Sequence, residues 1–353
     1  MAGPVLKSIE IEGLLSIRSA TVRLGRLNVV VGANGAGKSN FVWAFELLGR
    51  LADQELGLFV GLNGGASDLL NDRAARILLA ADTSVGDYEA ILLAAAKDEL
   101  IFGSETVRNQ GLGCGGRESG LAGDYAVTAL LRGCRVFHFH DTGRNAPVKQ
   151  YVSTADDLSL RSDGGNLAAV LLRLSESDDP AMSTAYRRIV RAVRQVAPFF
   201  RSFVLRENDQ DRLRLRWRQE GTDKVFSADQ MSDGTLRFVC LATLLLHPEL
   251  PRLVVLDEPE LGLHPFAIVQ LADLLRQAAT RSQVLFATQS VTLLSQFELA
   301  DLIVAERRGG GSVFSRPDPE LLTEWLTDYS LGELWEKNLL GGGPERDDGD
   351  VDA

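Results

Sequence analysis

Residues 32–39 read Gly32-Ala33-Asn34-Gly35-Ala36-Gly37-Lys38-Ser39, which matches G-x-x-x-x-G-K-[ST]. The run before it, Leu27-Asn28-Val29-Val30-Val31, is short, apolar and β-branched, as in a parallel strand buried on both faces. After it, Asn40 to Leu48 carries Phe41, Ala44, Phe45 and Leu48 on one helical face. Strand, glycine-rich loop and helix together form the context that separates a phosphate cradle from a ligand-free turn. Polyphosphate packs several negative charges into a small volume. Glycines let the backbone wrap it with successive N–H groups pointing inward, at a helix N-terminus that favours anions. Lys38 places a point charge on the β- and γ-phosphates, and the Ser39 hydroxyl can ligate Mg²⁺. The candidate nucleotide cradle is Gly32, Ala33, Asn34, Gly35, Ala36, Gly37, Lys38 and Ser39, extended by Asn40.

A second buried-strand candidate, Leu253 to Leu256, ends in Asp257-Glu258. An α/β sheet binds ligands at the carboxyl ends of its strands, where this pair would stand. Asp257 would hold Mg²⁺ directly or through water. Glu258 would act as general base or orient the attacking water. A third such strand, Gln283 to Ala287, ends in Thr288-Gln289-Ser290.

The stretch Asp257-Glu258-Pro259-Glu260-Leu261-Gly262-Leu263-His264-Pro265 resembles the Walker B and D-loop of ABC-type ATPases, and within them the RecF-like and SMC-like AAA branch, related to OLD-type heads without the nuclease domain. Met231-Ser232-Asp233-Gly234-Thr235 lies where that family places its signature motif. It departs from the transporter form LSGGQ at three of five positions and keeps Ser232 and Gly234. Ala287-Thr288-Gln289-Ser290 resembles the switch region, with Gln289 where transporters carry His.

The resemblance implies an α/β fold: a P-loop NTPase of ABC-ATPase head type, with a mixed sheet core, an N-terminal antiparallel β subdomain and a helical signature lobe. The head would span 1–340. Its nucleotide lobe would be about 1–140 plus 245–340 and its signature lobe about 141–244. It implies ATP with Mg²⁺ held by Ser39 and Asp257, and catalysis by Glu258 with Gln289. It further implies an ATP-dependent homodimer in which Ser232, Asp233 and Gly234 of one subunit meet the nucleotide of the other. The natural roles of such heads are DNA repair or maintenance and antiphage defence with a nuclease or other effector. After Ser290 about 60 residues remain, short of a typical domain, so a separately encoded effector is expected. A nucleotide-gated scaffold with little turnover is the alternative, and Glu258 argues against it. A transporter's ATPase subunit would carry LSGGQ and a His switch.

Composition bounds the setting. Of 353 residues, 45% are hydrophobic and 24% charged, which excludes a disordered chain. No apolar run approaches the roughly 20 residues of a membrane helix, so no membrane partner is expected. Cys114, Cys134 and Cys240 are an odd count without metal spacing, which fits a reducing cytoplasm.

The net charge of −11 opposes nucleic acid unless a local surface is basic. Between Arg187 and Arg218 there are ten arginines against Glu207, Asp209 and Asp211. Within that segment Arg212, Arg214, Arg216 and Arg218 alternate with Leu213, Leu215 and Trp217. Period two puts all four on one strand face, either as a solvated surface or as a contact for DNA or an acidic partner. His138 and His140, with no further ligands nearby, are read as packing or solvent-facing. Asp163-Gly164-Gly165-Asn166 is read as a turn and helix cap. Residues 341–353 hold an acidic tail expected to be disordered and solvated.

Overall fold

A computed structural model describes residues 3–121, 125–322 and 325–341. The expected acidic tail, from 342 onward, lies outside them. The chain divides into two compact units. The first is Met1–Val136, Pro251–Asp257 and Ser282–Ala353; the second is Phe137–Leu250 and Glu258–Arg281.

The first unit contains two sheets. Among the described residues, one is six-stranded and antiparallel, in the order Ile17–Arg23, Leu6–Leu14, Arg76–Thr83, Tyr88–Ala95, Glu99–Val107 and Gln110–Gly113. The other is mixed and also six-stranded. Its order is Gly311–Ser315, Leu302–Arg308, Leu27–Val31, Gln283–Thr288, Leu253–Asp257 and Cys134–Phe137. Leu27–Val31 is parallel to both neighbours, and Leu253–Asp257 is parallel to Gln283–Thr288. Val29, Val30, Val254, Val255 and Leu285 have no exposure, which is why these strands read as continuous apolar runs.

Helix Lys38–Ala52 supplies the centre of this unit. Phe41, Phe45 and Leu48 are fully buried. They share one core with Ile9, Ile11 and Ile77 of the antiparallel sheet and with Val255, Leu285 and Ile303 of the mixed one. Burying one such side chain contributes about 1.5–3 kcal/mol. The Gln283 amide ties the two sheets together: its Nε2 donates to Leu6 O and Gly25 O, and its Oε1 accepts from Leu6 N.

The second unit is mainly helical, with Leu167–Glu176, Pro180–Val196, Asp233–Leu246 and Pro265–Ala279. Pro180–Val196 starts where the Asp179 carboxylate accepts from Ala181 N at 2.8 Å and buries Met182, Ala185, Ile189, Ala192 and Val193. Two small sheets complete the unit. Phe200–Phe203, Arg216–Gln219 and Val225–Ser227 form one, and Arg212–Leu213 with Val152–Ser153 the other.

The structure departs from the sequence expectation at several places. Tyr88 to Phe102, whose apolar run reads from sequence as a single strand, is two strands, because Lys97 and Asp98 turn the chain at φ 64° and 59°. Arg212 to Arg218 is not one strand, since its pairing passes from one small sheet to the other. Asn166 does not cap its helix with its side chain. It is fully buried and instead bonds Asp156 O, Ser159 O and Arg161 N, closing the loop ahead of the helix. Asn109 to Gly123, Gly-rich and expected from sequence to be a loop, begins as the edge strand Gln110–Gly113. Leu56–Leu62 and Tyr125–Arg132 are helices as well.

Candidate nucleotide-binding site

Strand register assembles the site in the first unit. Val31 pairs with Thr288, and Ala287 pairs with Asp257. Gly32, Gln289 and Asp257 therefore leave or end three adjacent parallel strands at one carboxyl edge. Adjacent strands lie about 4.8 Å apart, so about 10 Å of sheet separates Asp257 from the phosphate loop.

The loop's glycines are there for different reasons. Gly37 sits at φ 102°, and a β-carbon on it would lie 2.0 Å from Ser312 Oγ. Gly32 would bring a β-carbon to 2.5 Å from Ala305 O, while Gly35, at φ 78°, faces open space. The Lys38 ammonium is buried and donates to Gly32 O at 2.7 Å and Ala33 O at 3.1 Å, which holds the loop's curvature. Ser39 is exposed at the first turn. Asn40 Nδ2 donates to Ser16 Oγ, which lies 2.6 Å from Ser312 Oγ. Ser16, in the turn between Leu6–Leu14 and Ile17–Arg23, and Ser312, in strand Gly311–Ser315, brace the cradle, a role no local motif announces.

These residues fit Mg²⁺ and a polyphosphate. Asp257 Oδ1 is buried without a hydrogen-bond partner among the described residues. An uncompensated buried carboxylate oxygen is costly unless a cation or donor meets it. Among the described residues no group of three or more His, Cys, Asp or Glu is placed to hold a metal. A cation here would thus be bound in the Mg²⁺ manner, by one carboxylate, one hydroxyl and phosphate oxygens. Gln289 is exposed beside the fully buried Thr288, whose Oγ1 accepts from Ser290 N.

The second unit holds the remaining candidates. Glu258 follows Asp257 directly and has φ 42°, a left-handed conformation that costs a non-glycine residue about 1–3 kcal/mol. Ser232 is exposed and caps helix Asp233–Leu246: its Oγ accepts from Thr235 N and lies 2.8 Å from Thr235 Oγ1. Asp233 is 3.8 Å from the buried Lys149 ammonium, a partner with no sequence signal. A β-carbon on Gly234 would lie 2.4 Å from Gly262 O. Arg237 donates to Leu261 O at 2.8 Å and His140 O at 2.9 Å. The signature helix and the loop after Glu258 are thereby locked together. The rings of His138 and His140 have centroids 6.3 Å apart. Burial pushes the Cys134 and Cys240 thiols up to about 12, so both stay protonated.

The chain has the fold of an SMC-type ATPase head. It superposes with a TM-score of 0.63 on an Smc head bound to the C-winged helix domain of ScpA, at 16% identity over 90% of this chain and 99% of that one. An Smc head with an extended coiled coil, bound to the C-terminal domain of ScpA and derived from Pyrococcus furiosus, gives 0.62 at 16% identity over 92% and 99%. One with a coiled coil and joint from Pyrococcus yayanosii gives 0.60 at 12% over 92% and 99%. Residues 140–295 match the family model described as "AAA domain, putative AbiEii toxin, Type IV TA system". No curated protein sequence matches the chain. The resemblance to RecF-like and SMC-like ABC-type ATPases thus extends from motifs to the SMC-type head fold. Among the described residues of this head, no helix is long and apolar enough to cross a membrane.

Proposed function

We propose that the protein binds Mg²⁺–ATP and hydrolyses it as an ATP-gated dimer. The register that brings the phosphate loop, Asp257 and Gln289 to one sheet edge carries this reading. Gly32 to Lys38 would cradle the phosphates, with Ser39 and Asp257 as ligands of the metal. Mg²⁺ supplies charge neutralisation on the β- and γ-phosphate oxygens. The Glu258 carboxylate takes the proton of the attacking water, and the Gln289 amide orients that water or the γ-phosphate. Ser232, Asp233 and Gly234 act on the nucleotide of a second subunit, because the N-terminus of Asp233–Leu246 offers N–H groups to an anion.

The setting follows from the same reading: a cytoplasmic protein of DNA maintenance or antiphage defence, working with a separately encoded nuclease or other effector. The toxin–antitoxin description of the matching family supports a defence role. The ScpA complexes of similar heads support a protein partner. Phosphate release by the parent and by Glu258→Gln tests the chemistry. A parent that binds ATP but releases no more phosphate than the mutant overturns hydrolysis in favour of a gated scaffold. A pull-down with Glu258→Gln in ATP tests for the partner.

A further inference from the structure

The helical unit carries a row of arginines that nucleotide binding does not use. Leu213, Leu215 and Trp217 are buried, Arg212 is exposed, and Arg214, Arg216 and Arg218 are half-buried. The alternation of burial runs through the change of sheet: the three apolar residues are buried and the four arginines stay at least partly exposed. Among the described residues none of the four makes an ion pair. Backbone and a ring hold them instead. Arg212 donates to Tyr151 O at 2.7 Å, Arg216 donates to Arg206 O at 3.2 Å, and the Arg214 guanidinium lies 5.2 Å from the Tyr151 ring centroid. Carbonyls orient these cations without neutralising them. Nε of Arg214 and of Arg218 is buried with no hydrogen-bond partner among the described residues. Tyr151 itself is 47% exposed.

We propose that this row binds single-stranded nucleic acid, with phosphates on the arginines and a base on Tyr151. Guanidinium forks match phosphate oxygens, and Arg is the residue suited to such planar recognition. Three two-residue steps span about 20 Å, room for several successive phosphates of an extended strand. In a chain of net charge −11 this is a concentrated basic segment, so the attraction is local. The half-exposed aromatic ring selects among polyanions. Unpaired bases stack on aromatic side chains, whereas duplex bases are engaged with one another and an acidic peptide has no base to offer. The inference goes beyond ATP turnover and is tested without nucleotide, so either reading can fail alone.

The test uses the full chain and a labelled oligothymidylate of twenty nucleotides, followed by anisotropy from 50 to 200 mM salt. Each phosphate neutralised on a single strand contributes about 0.7 to the slope of log K against log salt. Replacing Arg212, Arg214, Arg216 and Arg218 by Ser should therefore flatten the slope by up to about 3. Replacing all four by Lys should keep most of the slope, which separates lost charge from lost fold. Tyr151→Ala should weaken binding roughly five- to a hundredfold with the slope unchanged. Equal slopes for the parent and a folded serine variant would return the row to a solvated face. An equally tight duplex indifferent to Tyr151, or polyglutamate that competes as well as the oligonucleotide, would overturn the single-stranded partner.

Discussion

A β-carbon on Gly37 would lie 2.0 Å from Ser312 Oγ, and Ser312 Oγ is in turn 2.6 Å from Ser16 Oγ. The phosphate loop is thus closed from behind by a turn and a strand that are remote from each other in sequence, with Gly37 at φ 102° at the point of contact. Gly37→Ala meets both a steric and a conformational penalty. It should lower stability by about 1–3 kcal/mol and weaken ATP binding. Urea unfolding and calorimetry check this; a mutant with parental midpoint and affinity would show that the contact yields freely.

Lys38→Ala should leave the fold intact and weaken ATP at least about ten- to a hundredfold. It removes a charge-assisted contact worth about 1.5–3 kcal/mol. Equal nucleotide affinity in mutant and parent by calorimetry would remove Lys38 from the cradle.

Glu258→Gln should keep ATP bound and lose most turnover, since general base catalysis contributes about 10²- to 10⁴-fold. Single-turnover phosphate release is the measurement. An unchanged rate would assign the proton transfer to another group.

Ser232→Arg should bind ATP almost normally yet fail to hydrolyse it, because the added bulk stands where the partner's γ-phosphate must sit. Mixed with Lys38→Ala, it can form dimers in which one composite site carries both defects and the other neither. Activity should then return. A mixture that stays inactive while light scattering shows mixed dimers would exclude a shared site.

Burial holds the His247 imidazole below the usual histidine range, and its Nδ1 lies 3.1 Å from both Glu249 N and Glu249 O. The native state therefore resists a proton that the unfolded chain accepts below about pH 6.5. The stability from neutral His247 is present above that pH and is lost as pH falls. Urea midpoints from pH 7.5 to 5 should drop more steeply for the parent than for His247→Gln. Parallel pH curves would mean that His247 does not govern the acid response.

The sequence alone determined the chemistry-bearing segments. The pattern over Gly32–Ser39 and the run Leu253–Glu258 are local, because a phosphate cradle and a strand-end carboxylate pair are each built from consecutive residues. Buried parallel strands such as Leu27–Val31 are also legible, since burial on both faces demands an unbroken apolar run. Only the tertiary structure decided which strands are neighbours. The pairings Val31 with Thr288 and Asp257 with Ala287 join residues far apart in the chain, and a strand's apolar pattern does not name its partner. The same holds for Ser16 and Ser312 behind Gly37, for Lys149 beside Asp233, and for the change of sheet between Leu213 and Arg216. Each depends on long-range packing, in which a residue's role is set by what folds against it.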